Sequence, residues 1–194
     1  MLFEHLVYDG VFFCFTKLSY MKIFEKKPAF FAAAAVVFFA ILMVVFRGFA
    51  FDSTQLMLNS DQLNGIGSRI LRTFNAVLTE WDDSRLGGVP TIDALFADAY
   101  HPLVWVQFLM DPARAVGFKF ILTVWVAFMS AFALGWHLTG NKWWGALLGG
   151  LYAFSPEFFT YLYGGHDGKM MVFAIAPLAL LSIRKVVRCG SVPY

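Results

Sequence analysis

Charge is what this chain has least of. Asp, Glu, Lys and Arg make up 14% of its 194 residues, where ordinary soluble domains run near about 25%. So low a charge content, in so apolar a chain, excludes a disordered polypeptide. With 15 basic against 13 acidic residues the net charge is only +2, so the basic surface that nucleic acid requires is missing. Cysteine is scarce as well. Cys14 and Cys189 lie near opposite ends and give neither a disulfide framework nor a metal spacing. Internal repeats are absent, and the one biased tract is the alanine run at 32–35.

What is present is apolar and aromatic. Hydrophobic residues make up 59% and aromatics 19%, with 23 phenylalanines, and the mean hydropathy is +0.65. The apolar residues gather into uncharged runs, which predicts an all-α, polytopic membrane protein of about four spans. Residues 28–46 form the first, preceded by Lys22, Lys26 and Lys27. A signal peptide starting at Met21 is the rival reading, but the run is long for one and no small-x-small cleavage site follows. Asp111-Pro112 is a helix-start signal ahead of the second span, 118–139. The third is 143–163, where Gly145, Gly149 and Gly150 offer a small-residue packing face and Pro156-Glu157 break the helix near its far end. Residues 170–187 form the fourth span; its uncharged run, 170–183, is short, so Arg184 and Lys185 would snorkel.

Positive charge sets the orientation. Lys22, Lys26, Lys27, Lys142, Arg184, Lys185 and Arg188 share one side of a four-span chain, the cytoplasmic one. Trp136, Trp143 and Trp144 mark that interface. Residues 1–27 are then a cytoplasmic or interfacial segment and 188–194 a tail without pattern. The 47–117 loop and the 164–169 turn lie outside. Residues 1–20 are either interfacial or an upstream translation artefact.

The outer loop holds eight of the 13 acidic residues. Its apolar positions from Leu63 to Trp81 have helical spacing, and Asn59 with Gln62 resembles a capping box, so residues 59–81 read as an interfacial amphipathic helix. Asp61 falls in its first turn. There it either complements the helix dipole or acts as a carboxylate base. Asp82 and Asp83 follow, either as solvated loop charge or as a pair able to hold a divalent cation or accept a proton. Gly87-Gly88-Val89-Pro90 reads as a turn, and residues 92–99 and 103–110 as two short helices. The 164–169 turn, Gly-Gly-His-Asp-Gly-Lys, places His166, Asp167 and Lys169 at a membrane face. It is not a phosphate-binding P-loop, because Tyr163 stands where the first glycine belongs and Met170 follows the lysine. It reads either as a polar connector or as a site. Glu157, inside the third span, needs a polar cavity. His137 reads as a packing or interface residue.

In order, Ser60-Asp61-Gln62, Trp81, Gly87-Gly88-Val89-Pro90, Tyr100-His101-Pro102 and Gly165–Lys169 resemble the YfhO-like bacterial membrane proteins, and through them the GT-C class of glycosyltransferases. The resemblance covers residues 21–187. It implies a bacterial cytoplasmic-membrane enzyme that takes a sugar from a polyprenyl-phosphate donor to an extracytoplasmic acceptor. It implies Asp61 as the base, with Gln62, Arg72, His166, Asp167 and Lys169 around the substrate. Asp82, Asp83 and Glu157 are secondary candidates, and a divalent cation is compatible with the class. Members are longer, so this chain corresponds to their amino-terminal part. A non-catalytic anchoring protein and, behind it, a transporter are the alternatives.

Overall fold

The computed structural model describes residues 28–51, 81–82, 87–90, 102–110, 112–164 and 166–189. Its elements are α1 (Pro28–Val45), α2 (Arg47–Phe51), β1 (Trp81–Asp82), β2 (Val89–Pro90), a 3-10 helix (Pro102–Phe108), α3 (Pro112–Thr139), α4 (Lys142–Ala153), α5 (Pro156–Gly164) and α6 (Asp167–Cys189). Three stretches within α1, α3 and α6 are long and apolar enough to cross a membrane: Pro28–Val45, Arg114–Thr139 and Gly168–Val187.

The hub is α3. Its proline sits at the first helical position, where the missing N–H breaks no helical hydrogen bond. At 28 residues and about 1.5 Å per residue it runs some 42 Å. Of its most apolar stretch, 72% is buried, while α1 and α6 leave most of theirs exposed. The burial pattern of α1 explains its docking. Ala35, Phe38, Leu42 and Phe46 are buried, a single stripe at helical spacing, while Val36, Val37, Ile41, Val44 and Val45 are exposed. The stripe meets α3 ring against ring. Phe31 stacks on Phe132 (5.1 Å between centroids), Phe38 on Phe128 (3.9 Å), and Phe46 meets Phe120 edge-on (5.3 Å). As one number rises the other falls, so α1 and α3 are antiparallel.

The turn from α3 to α4 is two residues long. Gly140 adopts φ +69°, a left-handed helix end that glycine takes without strain. Asn141 caps α4, its side-chain oxygen accepting from the Trp143 N–H at 2.9 Å. The two helices then approach closely through glycine. A Cβ at Gly145 would stand 2.7 Å from the Phe132 ring, and one at Gly149 would stand 2.9 Å from the Phe128 carbonyl oxygen. Gly150, grouped with them by spacing, has nothing within 4 Å and lies off the contact.

The segment read as a single third span is two helices. Phe154 and Ser155 close α4 by hydrogen bonds to Gly150 and Tyr152, and Pro156 opens α5. Neither piece is long enough to cross a bilayer. The fourth run differs in the other direction. Its helix starts at Asp167 rather than Met170 and extends over 23 residues.

Pro177 lies inside α6. Having no N–H, it leaves the Phe173 carbonyl without its helical donor. The Tyr152 hydroxyl of α4 fills the gap, donating to Phe173 O at 2.6 Å. One residue on, the buried Ser130 hydroxyl of α3 donates to Ala174 O at 2.5 Å. Two hydroxyls from two helices thus tie α6 to the bundle beside its proline.

β1 and β2 pair antiparallel, Trp81 opposite Pro90. This corrects two expectations. Trp81 is in a strand rather than ending a helix, and of Gly87–Pro90 only the two glycines, both at positive φ, form the turn. The bulky Trp81 ring lies where a side chain at position 88 would go, 2.6 Å from an added Cβ. Residues 59–80 and 92–99 lie outside the described residues. The helix expected over 103–110 is a 3-10 helix, packed on α3.

Candidate functional site

The bundle has two polar ends, named here by the residues at their corners. At the Gly164 end, three aromatic rings converge: Phe46 between α1 and α2, Phe120 of α3 and Phe159 of α5, each 5.3 to 6.4 Å from the others. That cluster fixes α5 against the start of α3 and the end of α1. Helix α2, which ends at Phe51, follows Phe46 and belongs to this end.

The corner itself is made by backbone hydrogen bonds. The His166 N–H donates to the Tyr161 carbonyl at 2.9 Å, the five-residue closure typical of a helix terminus followed by glycine. The His166 carbonyl then accepts from the Met170 N–H at 3.2 Å, which starts α6. His166 thus ends one helix and begins the next, and Asp167, Gly168 and Lys169 are helical rather than loop residues. Asp167 occupies the first helical position, where a carboxylate complements the dipole.

The side chains at this corner are accessible. His166 and Lys169 are exposed. The imidazole lies over Gly164, where an added Cβ would come within 3.1 Å of it. The Lys169 ammonium is 5.9 Å from the Tyr161 ring centroid, near the outer limit of a cation–π contact. Glu157 is exposed in the first turn of α5, and its carboxylate lies beside the Tyr161 hydroxyl one turn on. Tyr161 therefore bridges Glu157 and the His166–Lys169 pair. An imidazole, an ammonium and a carboxylate–phenol pair stand on one exposed corner at the end of an apolar bundle. Together they can bind a phosphate and accept or donate hydrogen bonds to hydroxyl groups.

Of the residues picked out from the sequence, the structure brings together His166, Lys169 and Glu157, with Asp167 one position from His166. Asp61, Gln62, Arg72 and Asp83 lie outside the described residues. Asp82 is in β1, opposite Val89. Among the described residues no group of three or more His, Cys, Asp or Glu is placed to hold a metal ion.

Two polar residues at this end were not singled out by sequence reading. Tyr161 was passed over as one aromatic among many, although its spacing from Glu157 places the two on one helix face. Lys119 is buried at 7% exposure, next to Phe120 of the aromatic cluster. A buried ammonium in so apolar a helix is a strong departure from the rest of α3.

Comparison with known proteins adds no relative: no family model, curated protein or solved structure matches the chain.

Proposed function

We propose that the chain is a multi-pass membrane protein of the YfhO-like, GT-C kind, which handles a polyprenyl-phosphate-linked sugar at the Gly164 end of its bundle. The carrying observation is the corner just described, with cationic and hydrogen-bonding side chains exposed where three apolar helices end. A lipid-phosphate donor needs such a place, because its chain stays in hydrocarbon while its phosphate and sugar stay in water. In this reading four membrane crossings are made, the third by α4 and α5 in series. The Asn141 end faces the cytoplasm of a bacterial cell, and the Gly164 end faces outward.

His166 and Lys169 would offset charge on the leaving phosphate, and Asp61 would take the acceptor hydroxyl's proton as the glycosyl–phosphate bond breaks. Asp61 is ten positions beyond Phe51, a reach of up to about 35 Å, which permits the carboxylate to return to the corner. Gln62 and Arg72 would belong to the same substrate shell.

The test uses membranes from cells expressing the whole reading frame, supplied with polyprenyl-phosphate sugars. Asp61→Asn keeps size and polarity but removes the proton acceptor, and should abolish transfer with insertion intact. Full activity in Asp61→Asn with none in Asp83→Asn would move the base. A second reading, a non-catalytic anchoring protein, is favoured by one observation: the His166 backbone N–H and carbonyl are both used in joining two helices. It predicts that side-chain changes at Asp61, His166 and Lys169 are all silent.

A further inference from the structure

The Asn141 end differs from the Gly164 end in carrying helix charges of one sign only among the described residues. Among the described residues of the six α-helices the acidic ones are Glu157 and Asp167, both at the Gly164 end. The full charges there are Lys142, at the start of α4, and Arg184, Lys185 and Arg188, near the end of α6. The Ser130–Ala174 hydrogen bond fixes the level of α6 against α3. Both helices run the same way from it, and Arg184 is as far beyond Ala174 as Gly140 is beyond Ser130. The α6 cations are therefore level with the α3–α4 turn.

Helix electrostatics accounts for only part of this. Cations in the last turns of α6 complement its dipole. Lys142 does not. It is the first residue of α4, where the dipole disfavours a cation, and no acidic residue occupies that turn. Its ammonium rests over the Phe30 ring at 4.1 Å and is 5.3 Å from Trp143. Arg184 adds a second unbalanced feature: its Nε is buried with no hydrogen-bond partner among the described residues. Both groups call for an anion. Beside them Trp143 and Trp144 are 66% and 56% exposed, and Leu147 and Leu151 continue the exposed apolar surface along α4. Aromatic rings at the boundary between cations and an apolar face are what a membrane–water interface selects.

We propose that this end is a binding site for the phosphate headgroups of anionic phospholipids, formed by Lys142, Arg184 and Lys185 and rimmed by Trp143 and Trp144. It rests on the membrane setting proposed above and is independent of sugar transfer. Each basic residue near an anionic bilayer surface strengthens association about fivefold, so the three together should give a clear headgroup preference.

The test places the full chain in nanodiscs of phosphatidylcholine mixed with phosphatidylglycerol and measures which lipid stays bound on extraction into detergent. The expected result is several-fold enrichment of phosphatidylglycerol. The combined Lys142→Gln, Arg184→Gln, Lys185→Gln chain should lose it, and the charge-conserving Lys142→Arg, Arg184→Lys, Lys185→Arg chain should keep it. Excess glycerol phosphate should not compete, because the lipid chains hold the headgroup in place; competition would show a soluble-phosphate site and overturn the lipid assignment. Equal retention of both lipids by the unaltered chain, or undiminished preference in the glutamine chain, overturns the proposal. A chain that enters neither lipid overturns the membrane setting itself, whereas loss of sugar transfer with lipid preference retained leaves this site standing.

Discussion

At the scale of single residues, the α3–α4 contact makes the sharpest demand. Gly149 faces a backbone carbonyl, which cannot move aside as a side chain can. Gly149→Leu should therefore separate the helices and lower stability by about 1–3 kcal/mol or more. Gly150→Ala, one position away in open space, should be neutral or raise stability by up to about 1 kcal/mol, because alanine favours the helix. Thermal unfolding in one detergent distinguishes the two. Gly145 and Gly149 were legible in the sequence because a spacing of four puts both on one helix face. That Gly150 lies off that face follows only once the direction of approach is known. Tyr161 was illegible for a different reason. Its value comes from the α5–α6 corner, and a corner turned at His166 cannot be read from composition.

At the scale of elements, Pro177 and the two hydroxyls beside it form one unit. Tyr152→Phe strands the Phe173 carbonyl and should destabilise by about 0.6–2 kcal/mol, the range of hydrogen bonds between membrane helices. Pro177→Ala restores a backbone N–H at position 177 to that carbonyl. In that background Tyr152→Phe should lose most of its effect, and the difference between the two backgrounds measures the coupling. Additive effects in thermal unfolding would mean that the hydroxyl acts through packing alone. Pro177 is plain in the sequence, but its compensation comes from a tyrosine 21 residues away, and only the register of three packed helices connects them. Other element boundaries were misread for local reasons. The start of α6 looked like loop because Asp, Gly and Lys are polar, yet the N–H groups of a helix's first turn have no intrahelical acceptor and polar residues suit that turn. The break at Pro156 was visible, since proline forbids the preceding turn to continue through it.

At the scale of the whole molecule, three long apolar helices were readable because their length and composition show in the sequence without any packing detail. Which run would become the hub was not, because α1 is the more apolar of the two and α3 is nonetheless the one surrounded. The alternation of helix directions makes an orientation test possible. In a chain lacking Cys14 and Cys189, single cysteines at Ser84 and at Asn141 should react differently with a membrane-impermeant thiol reagent in intact cells. Position 84 should label and 141 should not; the opposite pattern would invert the orientation. Gly140 is unsuitable for the probe, since its φ of +69° would strain any side chain. The candidate base Asp61 belongs to this scale as well, because its role depends on where a long loop returns rather than on its neighbours in sequence.

The two-residue turn between α3 and α4 also bears on the order in which the molecule is made. Contacts between helices so close in sequence need little loop closure, so α3 and α4 can pair as soon as both have left the ribosome. The first-made helix, α1, has its aromatic partners on α3, more than 60 residues later. Until α3 arrives, Phe31 and Phe38 would rest against hydrocarbon, which is as apolar as the protein core and exacts little for the wait. Assembly would then begin in the middle of the chain, with the earliest helix docking onto a hairpin that forms after it.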